Sequence, residues 1–283
     1  MSTVKVACVQ MRSGRDPSAN LAAAERLVRD AAGRGARYVQ TPEMSNILER
    51  SRDDLFRSIR PEADDPFLAR MRDVASELAV TVHIGSLAIR RDDGKVANRA
   101  FVIGPDGAII ARYDKIHMFD VDLPNGESWR ESATYTPGTE AVMAEVEGLR
   151  VGLAICYDVR FPQLFRRYAH AGADVVTAPA AFTRQTGVAH WHVLQRSRAI
   201  ENGAFVVTAA QGGLHEDGRE TYGHSLVVDP WGRVLAEADG AEPGIVVADI
   251  DPAESRAARA RIPSLVNERP FDLALSTTLT PAE

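Results

Sequence analysis

The chain has 283 residues, 45% hydrophobic and 25% charged, with a formal net charge of −6 and a pI near 5.7. That length allows one large α/β domain or two ordinary ones. The acidic balance argues against a nucleic-acid partner or an anionic membrane surface, and no apolar run approaches the roughly 18 residues that cross a bilayer. The first residues, Met-Ser-Thr-Val-Lys-Val-Ala, enter a strand pattern at once, without a charged-then-apolar leader, so the cytoplasm is the expected compartment. Cys8 and Cys156 could form at most one disulfide, which a reducing compartment disfavours, and two thiols alone make no structural zinc site. The seven histidines include no H-E-x-x-H pair, and His190 and His192, two apart on a predicted helix, point to different faces. Neither a metal nor another cofactor is expected.

In chain order, residues 3–10 read as a buried strand. Asp16-Pro17-Ser18 starts a helix whose apolar positions Leu21, Ala24, Leu27, Val28 and Ala31 recur at helical spacing up to Gly33 and Gly35. Tyr38-Val39-Gln40 is a short strand before the turn Thr41-Pro42-Glu43. An amphipathic helix over 66–79 precedes a strand over 80–89. Asp92-Asp93-Gly94-Lys95 and Gly104-Pro105-Asp106-Gly107 read as hairpin turns joining strands near 96–103 and 108–113. Residues 114–139 show little periodicity but many chemically able side chains, the pattern of a functional loop. Strands near 140–146 and 150–155 come next, then a helix near 161–171 and a strand at 173–178. A helix over about 187–202 leads to strands near 204–210, 222–229, 233–238 and 244–250.

No linker or charge block divides the chain, so a single domain over 1–283 is expected, with residues after about 270 as a C-terminal extension over a neighbouring surface. The turn at 104–107 is echoed by Asp229-Pro230-Trp231-Gly232, which suggests two α/β halves packed sheet to sheet.

The chemistry concentrates around Val151-Gly-Leu-Ala-Ile-Cys156-Tyr-Asp-Val-Arg-Phe-Pro162. An apolar strand runs into a cysteine, and a helix begins a few residues on, with Pro162 suited to its first turn. A thiol at a strand-to-helix turn sits beside free backbone N–H groups, and these with the helix dipole favour a thiolate and a developing oxyanion. The competing interpretation is a small buried hydrophobe, the usual fate of an intracellular cysteine. Cys8, inside a strand with no polar neighbours, reads as core.

The stretch G-L-A-I-C-Y-D-V-R-F-P resembles the nucleophile motif of the nitrilase superfamily of carbon–nitrogen hydrolases. Thr41-Pro42-Glu43 resembles that family's glutamate motif, and Arg112-Tyr113-Asp114-Lys115-Ile116-His117 its lysine motif. The three stand in the family's order, and with their flanking elements cover nearly the whole chain. The resemblance implies an α/β fold, a four-layer α-β-β-α sandwich of the nitrilase type, assembled as a homodimer or higher homo-oligomer through the region after Cys156 and the C-terminal tail. It implies Cys156 as nucleophile, Glu43 as general base, and Lys115 with the backbone N–H of Tyr157 as the oxyanion hole. Glu131 aligns with a second glutamate that holds Lys115 charged and aimed; Glu127 is the nearby rival. On exposure statistics alone Glu43 would be a solvated turn carboxylate and Lys115 a surface lysine. Asp158 and Arg160 read as a structural ion pair bracing the turn of Cys156.

Three further segments resemble the branch that contains ω-amidase and deaminated glutathione amidase: residues 117–124, residues 187–202, and Ala209-Ala210-Gln211-Gly212 with residues 222–232. That branch implies hydrolysis of a small linear amide, deaminated glutathione or the ω-amide of an α-keto acid, through a cysteine thioester with release of ammonia. An anionic substrate needs cationic or N–H partners, for which Arg184, Arg160 and the backbone around Phe182 and Thr183 are candidates. His190 and Trp191 either wall the pocket or serve helix packing. Val188 and His192 stand where the branch usually has Pro and Glu, which could reshape the pocket rim. The alternatives on the same triad are a nitrilase, an N-carbamoyl amidohydrolase, or an inactive binding protein of the same fold.

Overall fold

A computed structural model describes residues 3–123 and 126–274. Six helices flank the sheets: α1 (Pro17–Gly33), α2 (Arg52–Ser58), α3 (Pro66–Leu78), α4 (Pro162–His170), α5 (Arg184–Asn202) and α6 (Pro252–Arg261). The first sheet contains β1 (Val4–Gln10), β2 (Tyr38–Gln40), β3 (Thr81–Arg90), β4 (Val96–Ile103) and β5 (Ile109–Asp114). A small hairpin follows, β6 (Asp120–Asp122) with β7 (Ser128–Arg130). The second sheet contains β8 (Met143–Val146), β9 (Leu149–Gly152), β10 (Val175–Thr177) and β11 (Phe205–Thr208). After the hairpin β12 (Gly212–Leu214) and β13 (Glu220–Tyr222) it is completed by β14 (Leu226–Val228) and β15 (Val234–Glu237). Strand β16 (Gly244–Ile250) returns to the first sheet.

The strand orders are β16-β1-β2-β3-β4-β5 and β15-β14-β11-β10-β9-β8. In each sheet three parallel strands (β1-β2-β3; β9-β10-β11) carry antiparallel partners on both sides. This is the two-halves arrangement that the paired turns suggested. Side chains alternate across a strand, so one strand feeds two cores. Val4, Val6 and Cys8 of β1 pack with Val151, Val175 and Val206 of the other sheet. Ala7 and Val9 face α1 and α3, through Ala24, Leu27, Val28, Met71 and Val74. Burial on both faces is why these strands read as continuous apolar runs. The result is the expected four-layer α-β-β-α sandwich.

The helix starts have local causes. Asp16 caps α1 and Asp65 caps α3 through their carboxylates, each with proline at the first helical position. Two helices are additions to the sequence reading. Helix α2 buries Leu55 alone, and α6 buries Pro252, Ser255 and Ala258, so neither presents the apolar stripe that periodicity detects. The predicted strand over 150–155 is shorter: its ladder stops at Gly152, and residues 153–155 carry the chain out of the sheet toward Cys156. Most of the C-terminal extension lies outside the described residues; Phe271 and Leu273 are exposed. No helix among the described residues is long and apolar enough to cross a membrane.

Gly85 is a point of close approach between the two halves. A Cβ there would lie 2.1 Å from the Thr41 carbonyl oxygen and 2.6 Å from Pro179 Cβ, on the two segments that carry the site. Gly85→Ala should therefore destabilise the protein by about 1–3 kcal/mol, the usual cost of overpacking. An unchanged urea midpoint would show that this approach is not needed.

Candidate active site

Four chain segments leave the sheets close together. Glu43 follows β2, Lys115 follows β5, Cys156 follows the extended exit from β9, and Ala181 follows β10. Loops at the carboxyl ends of parallel strands are where α/β sheets form binding crevices.

The Lys115 ammonium is the hub. It donates to Glu43 Oε1 at 2.9 Å and to both oxygens of Glu131, at 3.0 and 2.9 Å, and its side chain is 2% exposed. Asn98, on β4, bridges the acids by donating from Nδ2 to Glu43 Oε1 at 2.9 Å and Glu131 Oε1 at 3.2 Å. Its backbone carbonyl accepts the Lys115 N–H at 2.9 Å. The remaining Glu43 oxygen accepts the Ala181 N–H at 2.8 Å, and Glu131 Oε2 accepts the Phe119 N–H at 2.7 Å. Each acid is thus fixed by one lysine, one amide and one backbone donor. Glu127 lies exposed at the rim, and Glu131 is the acid that reaches Lys115.

Burial tends to raise Glu43, but the charge and hydrogen bond of Lys115, with hydrogen bonds from Cys156 and Asn98, hold it below the ordinary carboxylate range. Burial tends to lower Lys115, and the charges of Glu131, Glu43 and Cys156 overcome it, so the amine stays well above its usual value. Burial and the charge of Glu43 push the Cys156 thiol well above the ordinary cysteine value, against the pull of Lys115. Burial and Glu43 thus outweigh the turn geometry that would favour a thiolate, which leaves a thiol beside the carboxylate that the resemblance implies as its base.

Cys156 occupies a left-handed conformation, φ +49°, which costs a non-glycine residue on the order of 1–3 kcal/mol. Its own N–H is engaged by the Pro179 carbonyl at 2.9 Å, and that of Asp158 by Ile155 at 3.0 Å. Between them lies the N–H of Tyr157, whose residue lines the cavity.

Asp158 braces this turn, though not with Arg160. Its fully buried carboxylate accepts from the Ile155 N–H (2.9 Å), the Tyr113 hydroxyl (2.7 Å) and the His117 N–H (3.0 Å), and faces His117 Nδ1 at 2.6 Å. It thereby ties the cysteine turn to the residues on either side of Lys115. Arg160 instead meets His190 Nδ1 at 3.2 Å and lies over the rings of Tyr157 and Phe182. Gln211 explains one of the branch signals: its Nε2 donates to the carbonyls of Glu43 (3.0 Å) and Met44 (3.3 Å) and to Ser13 Oγ.

The cavity over Cys156 has a volume of about 360 Å³ and is lined by Glu43, Lys115, Glu131, Tyr157 and Phe182, with Trp129 and several arginines farther out. Phe182 is placed as expected. Arg184, His190, Trp191 and Arg160 are not among the lining residues. Arg184 is exposed and pairs with Glu220, and His190 is exposed on α5. Trp191 is buried behind Phe182 and donates to the His224 carbonyl at 2.9 Å, which is the packing role. The cations at the mouth come from elsewhere. Arg50 and Arg219 lie 4.7 and 4.8 Å from the Trp129 ring, and the buried Arg219 Nε has no hydrogen-bond partner among the described residues. Nothing in local spacing signals that 50, 129 and 219 meet; chain topology brings them together.

Replacing Glu43 by Gln removes the charge that keeps Cys156 protonated and leaves Lys115 beside the sulfur. The midpoint for alkylation of Cys156 by iodoacetamide should then move to lower pH than in the wild type, while hydrolysis is lost. Cys8, buried between the sheets with its thiol pushed up to about 12, should stay inert. A midpoint unmoved by Glu43→Gln would contradict the proposed electrostatics.

The profile of the carbon-nitrogen hydrolase family matches residues 5–260. Deaminated glutathione amidase of Synechocystis sp. is 40% identical over 270 residues, 94% of this chain and 98% of the relative. Omega-amidase NIT2 of Homo sapiens is 37% identical over 269 residues, covering 95% and 96% of the two chains. Among solved structures, the C. elegans NitFhit protein superposes with a TM-score of 0.87 at 33% identity, over 95% of this chain and 66% of that longer one. An amidase from Nesterenkonia sp. AN1, 27% identical with a TM-score of 0.76, covers 92% of this chain and 98% of its own. Its glutamate-to-glutamine variant was crystallised with acrylamide added to the active-site cysteine. With the profile spanning most of its length and these relatives aligned end to end, the chain belongs to the carbon-nitrogen hydrolase family, the nitrilase superfamily.

Proposed function

We propose that this protein is an amidase that hydrolyses the terminal amide of a small, linear, anionic substrate through a Cys156 thioester. The observation that carries this reading is the set of contacts joining Glu43, Lys115 and Glu131 beside the Cys156 thiol in one cavity.

In this reading Glu43 takes the thiol proton as sulfur attacks the amide carbon. The developing oxyanion is received by the Lys115 ammonium and the Tyr157 N–H; one such donor is worth about two to three orders of magnitude in rate. Glu43 returns its proton to the departing nitrogen, the C–N bond breaks, and ammonia leaves. Water then attacks the thioester with Glu43 again as base, giving a carboxylic acid and the free thiol. A carboxylate held below its ordinary range suits the first step only because Lys115 also stabilises the thiolate being formed. Glu131 and Asn98 act through Lys115 and Glu43 as positioning residues.

The amidase relatives support an amide over a nitrile or carbamoyl substrate. Arg50 and Arg219 at the mouth support a substrate with a carboxylate remote from the amide, as in deaminated glutathione or the ω-amide of an α-keto acid. We further infer a cytoplasmic homodimer or higher oligomer. In support, both cysteines are free, and Val188, Val193 and Ile200 stand exposed along α5.

A panel of ω-amides, matched nitriles and N-carbamoyl compounds, ranked by kcat/KM, tests the substrate class; carboxylate-bearing amides should lead. Arg219→Gln should lower kcat/KM for such an amide by about tenfold to a hundredfold, the worth of one charge-assisted hydrogen bond, and leave an uncharged amide nearly unaffected. Equal loss on both, or a nitrile at the head of the ranking, would overturn the assignment.

A further inference from the structure

Away from the cavity, His192 of α5, His224 of the segment between β13 and β14, and Glu237 at the end of β15 converge. His192 Nε2 lies 2.8 Å and His224 Nδ1 2.6 Å from the same oxygen, Glu237 Oε1. The three donor atoms lie within 4.8 Å of one another. We propose that these side chains form a site for a first-row divalent metal ion of the zinc class, bound by two imidazole nitrogens and one carboxylate oxygen.

The donor set is the first argument. Two imidazoles with one carboxylate suit Zn²⁺ and its neighbours, whereas Mg²⁺ and Ca²⁺ prefer oxygen throughout. Bonds of about 2.0–2.2 Å at tetrahedral angles put donors roughly 3.3 Å apart, so each histidine nitrogen must draw back from Glu237 Oε1 by about half an ångström or a little more, while the two nitrogens already lie within 4.8 Å of each other. It can do so, since the side chains are 33%, 26% and 32% exposed. The exposed side leaves room for water at the remaining positions.

The second argument is that the rings are held by contacts that do not involve Glu237. His224 has φ +56°, its carbonyl accepts the Trp191 indole N–H at 2.9 Å, and its ring stacks on Tyr222 with centroids 4.3 Å apart. His192 lies edge-on to the same Tyr222 ring at 5.9 Å.

His192 is also one of the two positions where the chain departs from the branch pattern it resembles. Local spacing could not reveal the cluster, because His190, the near neighbour of His192, points elsewhere and the other ligands come from two distant segments. A bound ion would fasten α5 to β14 and β15. That helix carries Thr186 of the cavity wall, and Trp191 behind Phe182.

Titration calorimetry with Zn²⁺ on full-length Cys156→Ser, which removes the competing catalytic thiol, tests the site. One equivalent should bind, and His192→Ala and Glu237→Gln in that background should each weaken it by at least about tenfold, the lower end of what even an outer-shell loss costs. Cobalt(II) should give visible d–d absorption in the parent and lose it in both variants. Circular dichroism spectra and melting curves without metal, matching the parent, would confirm that the variants are folded. Absence of saturable binding to Cys156→Ser, or binding that survives His192→Ala unchanged, would overturn the proposal. Neither result bears on the amidase reading, which uses none of these three residues.

Discussion

An ammonium group sealed between two carboxylates organises this protein. An unpaired lysine at the position of Lys115 would lose its proton to burial, and an unpaired glutamate at Glu43 would gain one. Together they keep their charges, because each is the other's counter-ion at 2.9 Å and Glu131 adds a second acid on the far side of the amine. Asn98 and two backbone N–H groups complete the set, so the charges are hydrogen-bonded as well as paired. Such an arrangement is poor value for stability, since burying ions is costly, and its benefit is a fixed field around one sulfur atom.

The fold supplies that field by geometry. Three parallel strands in each sheet end on the same side, and the turns after β2, β9 and β10 bring Glu43, Cys156 and Ala181 together. Gly85 lets the Glu43 turn and Pro179 approach closely; the Pro179 carbonyl holds the Cys156 N–H; Asp158 ties the cysteine turn to Tyr113 and His117. Strain at Cys156 is offset by these contacts. In the proposed mechanism the thiol, pushed upward and not down, would need Glu43 to take its proton at each turnover.

Much of this was legible in the residues. The apolar runs of β1, β3 and β4 and the amphipathic faces of α1 and α3 gave the elements, and the resemblance to the nitrilase superfamily implied how they layer. The motifs around Glu43, Lys115 and Cys156, recognised by their resemblance to the family's, located the cavity and put Glu131 ahead of Glu127; Glu131 is the acid that contacts Lys115. What stayed hidden has a common cause. Asn98 sits in a strand that reads as plain core, Asp158 was assigned the wrong partner from sequence proximity to Arg160, and Arg50, Trp129 and Arg219 meet only in space. Arg184 was a candidate for its charge and His190 for its place in a segment resembling the branch, but both lie exposed on α5, outside the cavity lining. Helix α6 lacks an apolar stripe because it rests on Pro252, Ser255 and Ala258. Local pattern reports burial and periodicity; it does not report which distant segments share a wall.

The most direct test of the central claim is a carbon-13 NMR titration of the Glu43 carboxyl group in the folded protein and in Lys115→Met. The paired-charge account predicts a wild-type midpoint below the ordinary glutamate value of 4.5 and an upward shift past that value once the ammonium is gone and burial outweighs the remaining hydrogen bonds. A wild-type midpoint above 4.5, or one that Lys115→Met leaves in place, would contradict it.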